Sequence, residues 1–223
     1  MLRIDVAGLA PDYVHYRRGL DLQRDELNRI RAGYSPGALF LLEHSPVYTA
    51  GRRTRPEELP TDGSAVVDVD RGGKVTWHGP GQLVGYPILS LQRPRDVVGY
   101  LRQVEALVID VLADHRVTGF RVPERSGVWV DAGGPGPAKI AQVGIRVSRG
   151  LTSHGFAINC NNSLDPFAAI IPCGIADAGV TTLSALTGTP IEPADLIGAI
   201  SDRVPQFSRE VAMDTTINTL VPQ

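Results

Sequence analysis

Strand-length apolar runs in this chain come in neighbouring pairs with only turn residues between them. Residues 75–78 and 82–89 are separated by Gly79-Pro80-Gly81, and residues 139–147 and 153–160 by a short polar stretch. Consecutive parallel strands need a crossover of a dozen or more residues, and neither gap holds one. The pairing predicts an α+β fold with a mixed, mostly antiparallel sheet and flanking helices, not a doubly wound one. The first pair reads as hairpin-like, because a Gly-rich reversal joins its strands. Residues 38–43, 66–69 and 126–130 add short strands, 47–49 resumes extended structure after His44-Ser45-Pro46, and 51–64 reads as a loop.

Helices supply the cover. Residues 96–115 carry Val97, Tyr100, Leu101, Val104, Leu107, Val108, Val111 and Leu112 at helical spacing, with Asp96 as N-cap. Residues 10–33 put Tyr13, Tyr16, Leu20, Leu27 and Ile30 on one side, with Gly33 as the stop, and 180–186 and 193–204 read as helical. With 223 residues and 43% hydrophobic content the chain can bury one sizeable core, taken as a single domain over 1–210 with a flexible tail over 211–223.

Charge and cysteine usage narrow the function. A net charge of −2 argues against nucleic acid as partner. Two cysteines are too few for a disulfide framework, and no run reaches the ~18 apolar residues that span a bilayer. A monomeric cytoplasmic protein with no membrane partner is expected. His15, His44, His78, His115 and His154 lack metal-motif spacing, so no metal is expected. Neither a Walker loop nor a dinucleotide fingerprint is present, and no cofactor is expected.

Three features could carry chemistry. Cys173 lies between Pro172 and Gly174, where the chain must turn, whereas Cys160 ends a strand and reads as buried packing. Lys139 opens an alternating strand; a lysine can serve a thiol as base only where burial lowers its pKa. Arg71-Gly72-Gly73 through His78-Gly79-Pro80-Gly81-Gln82 is the densest polar constellation, with glycines that let a ligand approach the backbone. His44, His78 and His154 each sit at a strand end beside Gly, Ser or Pro, which suits the wall of a shared pocket.

These motifs join in a resemblance. Gly51-Arg52-Arg53, the block from Arg71 to Ile88, Lys139-Ile140-Ala141-Gln142-Val143-Gly144-Ile145-Arg146, His154-Gly155-Phe156-Ala157-Ile158-Asn159 and Ile171-Pro172-Cys173-Gly174 stand in the order seen in lipoyl(octanoyl) transferases, the lipoate-protein ligase B family. The resemblance spans residues 38–184. It implies the biotin/lipoate protein ligase-like catalytic domain, with an octanoyl group moving from octanoyl-acyl carrier protein to a lysine of lipoyl domains. The acceptors implied are those of 2-oxoacid dehydrogenase subunits and the glycine cleavage H protein. It also implies Cys173 as a nucleophile that forms a thioester and Lys139 as its base. Substrate would be bound by Arg71, Gly72, Gly73, Thr76, His78, Gly79, Gly81, Gln82, Tyr86, Gln142, Val143, Gly144, His154, Gly155 and Ala157. Backbone donors near Cys173 or in the Gly72-Gly73 and Gly79-Gly81 turns are expected to stabilise the oxyanion, and Arg52, Arg53, Arg55, Arg71 and Arg146 to face an acidic carrier. Burying eight carbons is worth roughly 5 kcal/mol before ordering costs. The alternative is an ATP-dependent lipoate or biotin protein ligase; Thr76-Trp77-His78-Gly79-Pro80-Gly81-Gln82 in place of the ligase-type glycine block argues against adenylation.

Overall fold

The computed structural model describes residues 1–170 and 179–213. In chain order the elements are β1 (Arg3–Gly8), α1 (Tyr16–Arg31), β2 (Gly37–Leu42), β3 (Val47–Ala50), β4 (Val66–Asp68), β5 (Thr76–His78), β6 (Gln82–Leu89), α2 (Val97–Asp114), β7 (Phe120–Val122), β8 (Arg125–Val130), β9 (Ala138–Ser148), β10 (Leu151–Asn159), α3 (Asp165–Ala168), β11 (Gly179–Val180), α4 (Leu183–Thr187) and α5 (Ile197–Val211). Among the described residues, the main sheet runs β1-β2-β6-β10-β9-β8-β7, with β11 added to β9, and a smaller sheet runs β4-β3-β5. Among the described strands, only β1–β2 and β11–β9 of the main sheet and β3–β4 of the smaller one pair in parallel, so the main sheet is mixed and mostly antiparallel, as the strand pairing predicts.

Strands β2 and β6 are buried along their whole length because both faces are covered. Leu39, Leu41, Leu83 and Ile158 face Val104, Val108 and Val111 of α2 and Ile200, Val204 and Phe207 of α5. Phe40, Leu42, Val84, Tyr86 and Ile88 face the other way, against Leu22, Leu27 and Ile30 of α1. The period-two alternation of the strands thus divides one apolar run between two cores. No helix of the described residues is long and apolar enough to cross a membrane.

Several expectations are corrected. The reversal at Gly79-Pro80-Gly81 is not a hairpin: β5 pairs with β3, and β6 pairs with β2 and β10. Other partners hold the turn, since Gly81 donates to Glu43 Oε2 at 2.7 Å and its carbonyl accepts from Cys160 and Asn161. Helix α1 starts at Tyr16, not at residue 10, because Ala10 and Val14 donate to Glu43 and cannot join a helical ladder. Its most buried positions are Tyr16, Gly19, Gln23 and Glu26, and Tyr13 is exposed outside it. Residues 180–186 divide into β11 and α4, with Thr182 Oγ1 capping the Ala185 amide. Helix α5 runs on to Val211, and Met213 donates to Ser90, so 211–213 belong to the body of the fold.

Candidate active site

A cavity of about 230 Å³ opens on the α1 face of the main sheet. Its floor is built from Val84 and Tyr86 of β6, Gly155, Phe156 and Ala157 of β10, and Gln142, Val143 and Gly144 of β9. Thr76 and His78 of the small sheet close one side, the Arg71-Gly72-Gly73-Lys74 loop another, and Glu124, Arg125 and Ser126 a third. Gly144 lets the loop approach closely, since a Cβ there would stand 3.0 Å from Arg71 Cδ and 3.2 Å from the Gly72 carbonyl oxygen.

Arg71 fastens the glycine loop. Its Nη1 donates to the carbonyls of Gly72 and Lys74 at 3.1 and 2.8 Å, and its Nη2 to the carbonyl and hydroxyl of Thr49 at 3.0 and 2.8 Å. A planar fork spreads five donors over three nitrogens in fixed directions, whereas a lysine has three donors on a single atom. The loop is also strapped to Gly51-Arg52-Arg53, whose amides donate to Lys74, Arg71 and Gly73. Gly72 donates to Ile145 at 2.9 Å. The amides of Gly72 and Gly81 are therefore already engaged and do not serve as oxyanion donors.

The histidines are neutral partners of fixed polarity. His44 Nδ1 donates to Val14 O at 2.8 Å, so its bare Nε2 accepts from the Tyr86 hydroxyl at 2.7 Å. Thr181 O accepts from Asn159 Nδ2, Asn159 Oδ1 from Gln82 Nε2, and Gln82 Oε1 from His78 Nδ1 at 2.7 Å. That chain starts at a carbonyl, which can only accept, so it orients both amides and puts the His78 proton on Nδ1. Burial pulls His44 down to about 4 and His78 to about 3. His154 Nε2 donates to Asp70 at 2.9 Å, while its buried Nδ1 has no partner among the described residues. Burial first, then Arg71 and Arg146, brings His154 to about 3. Arg146 sits on the same Asp70 carboxylate and offsets its pull on the ring. His154 also holds φ +59, a conformation non-glycine residues adopt at a cost.

Lys139 is 3% exposed and lines the cavity, with Nζ 4.9 Å from the centre of the Trp129 ring. Cys173, the expected nucleophile, lies outside the described residues. Cys160 is fully buried in the core, and burial pushes its thiol up to about 12.

Of the residues expected at the site, Arg71, Gly72, Gly73, Thr76, His78, Tyr86, Lys139, Gln142, Val143, Gly144, His154, Gly155 and Ala157 share this cavity. Gly79, Gly81 and Gln82 do not line it. Gly79 packs on Trp77, Gly81 borders a second cavity with Glu43 and Asn162, and Gln82 stands behind His78. His44 likewise stands behind Tyr86. Among the arginines expected to face a carrier, Arg71 is buried and Arg146 is paired with Asp70. Sequence reasoning missed Tyr16, Val84, Phe156 and the Glu124–Ser126 wall. Val84 was within reach, since it alternates with Tyr86 on one strand face. The wall carries no motif.

A family model described as the lipoyl protein ligase A/B catalytic domain matches residues 15–204. An octanoyltransferase of Leifsonia xyli subsp. xyli is 49% identical over 214 residues, 95% of this chain and 96% of that protein. One from Mycobacterium avium (strain 104) is 54% identical over 203 residues, 90% of this chain and 85% of that protein. In fold, the bipartite lipoate protein ligase of Thermoplasma acidophilum superposes with TM-score 0.68 at 16% identity, over 94% of this chain and 83% of that one. Identity of about one residue in two, along nearly the full length of such enzymes and across the cavity-bearing domain, makes this chain an acyltransferase of the octanoyltransferase family.

Proposed function

We propose that octanoyl transfer for protein lipoylation runs in this chain through a thioester on Cys173, with Lys139 as the proton acceptor. The donor is octanoyl-acyl carrier protein, and the acceptors are lysines of lipoyl domains in 2-oxoacid dehydrogenase subunits and the glycine cleavage H protein. The Cys173 thiol gives its proton to the Lys139 amine, and the thiolate attacks the octanoyl carbonyl. The donor C–S bond breaks, and the carrier thiolate leaves with the proton from Lys139. The acceptor amine then attacks the Cys173 thioester, an amide forms, Cys173 leaves as thiolate, and Lys139 takes up the amine's surplus proton. Because the donor is already a thioester, no nucleotide is consumed.

The observation that carries this reading is a buried lysine in a half-apolar cavity. Lys139 reaches the same space as Val84, Val143, Phe156 and Ala157, which suit a fatty tail. The chain that follows Cys173 returns to this point, with Gly179 and Val180 paired to Ala138 and Lys139. Within the cavity, Tyr86 and the neutral imidazoles of His78 and His154 offer hydrogen-bonding groups beside the cationic Arg71 and Arg125.

The test is intact mass spectrometry after mixing with octanoyl-acyl carrier protein and no nucleotide. One added octanoyl group is expected, lost in Cys173→Ala and discharged by an apo lipoyl domain. Lys139→Ala should slow transfer about 10²–10⁴-fold. Wild-type turnover by Cys173→Ser, or a strict need for ATP, would sink the reading.

A further inference from the structure

We infer that Gly127 and Glu105 are positioning residues that set where the Lys139 amine stands in the cavity; the inference rests on the reading of Lys139 above. Lys139 pairs with Trp129 across β8 and β9, and the register shifts between Val128 and Trp129, one residue beyond Gly127. Gly127 holds φ +106, a conformation closed to residues with a Cβ. A Cβ there would stand 2.5 Å from the Ala141 carbonyl oxygen on the facing strand, 2.5 Å from Lys139 Cε and 3.2 Å from its Nζ. The missing side chain is therefore the slot through which the lysine stem reaches the cavity, with the Trp129 ring beside its end.

The slot has an anchor on the helix side. Gly127 N donates to Glu105 Oε1 at 2.9 Å, while Arg102 and Arg121 donate to Glu105 Oε2 at 2.6 and 3.2 Å. Glu105 is fully buried on α2, beside the otherwise apolar stripe of Val104, Leu107, Val108 and Val111. A carboxylate in that place is costly unless it is fully bonded, and packing alone would be served by an apolar residue. Its bond to Gly127 holds β8 at the point where the Glu124–Ser126 wall of the cavity passes to the lysine slot.

Gly127→Ala and two Glu105 variants test this, with octanoyl transfer and the ¹⁵N indole signals of Trp129 and Trp77 as readouts, assigned with Trp77→Phe. In Gly127→Ala, kcat should fall about 100-fold, the cost of misplacing a catalytic group by about 1 Å, with KM for the octanoyl donor little changed. The Trp129 indole signal should move and that of Trp77 should not. Glu105→Gln keeps an oxygen for the Gly127 amide and should stay within about 3-fold of wild type, whereas Glu105→Leu should fall with Gly127→Ala. If Gly127→Ala does not fold, the Glu105 pair decides. A folded Gly127→Ala with a wild-type rate, an unmoved Trp129 signal, or Glu105→Leu as active as Glu105→Gln overturns the inference. Lys139→Ala at wild-type rate would instead overturn the reading of the lysine.

Discussion

Lowering the pH from about 7.5 to about 5 tests the burial of His44, His78 and His154 directly. In the unfolded chain each imidazole takes up a proton below about 6.5. In the folded chain His44 resists until about 4, and His78 and His154 until about 3. The unfolded state thus binds more protons between these limits. The stabilising contribution is complete above about 6.5 and is lost as the pH falls through the window toward the folded values. At pH 5 the loss is about 2 kcal/mol for each histidine and about 6 kcal/mol for three. That is comparable with the whole stability of many domains. Carboxylates titrate mostly below pH 5, so the histidines dominate the change between about pH 6.5 and pH 5. Urea unfolding followed by circular dichroism should show a midpoint about 2 M lower at pH 5, for an m-value near 3 kcal/mol/M. Histidine Cε1–H signals should place these three rings as neutral at pH 5 in the native protein. A midpoint that does not move, or three rings that titrate near 6.5 while the fold persists, would refute the argument.

Cys160→Ser puts a hydroxyl in a fully buried core position and should cost about 1–3 kcal/mol in thermal unfolding, with transfer per folded molecule unchanged. Gly85→Ala drives a methyl group into the Phe156 ring across the β6–β10 pair; a loss of about 3 kcal/mol is expected, read as a fall in soluble yield and unfolding midpoint. Arg71→Lys leaves part of the set of Gly72, Lys74 and Thr49 oxygens without a donor. It should cost about 2 kcal/mol and raise KM for the octanoyl donor, because the loop that walls the cavity loosens.

Much of the secondary structure was legible in the local pattern. Residues 82–89 form β6 as read, and the apolar stripe behind Asp96 forms α2, because the 3.6-residue period and the cap are properties of neighbours in the chain. Strand β1 escaped notice, since it is a half-exposed edge strand with no clean alternation. The turn at Gly79-Pro80-Gly81 was misread because a carboxylate 38 positions away, Glu43, decides its course.

The motif order alone marked Lys139, the Arg71–His78 block and the stretch from Gln142 to Ala157 as parts of one site. Residue type and spacing suffice for that, since they record which chemistry each segment can offer. Only the folded sheet decides which of these meet. The order β6-β10-β9 sets Tyr86, His154 and Lys139 on neighbouring strands, while one turn of the backbone sends Gln82 behind His78 instead of into the cavity. The protonation of the histidines and the slot at Gly127 are likewise tertiary, because both depend on how much water and how much room the surrounding chain leaves, and no local run of residues encodes either.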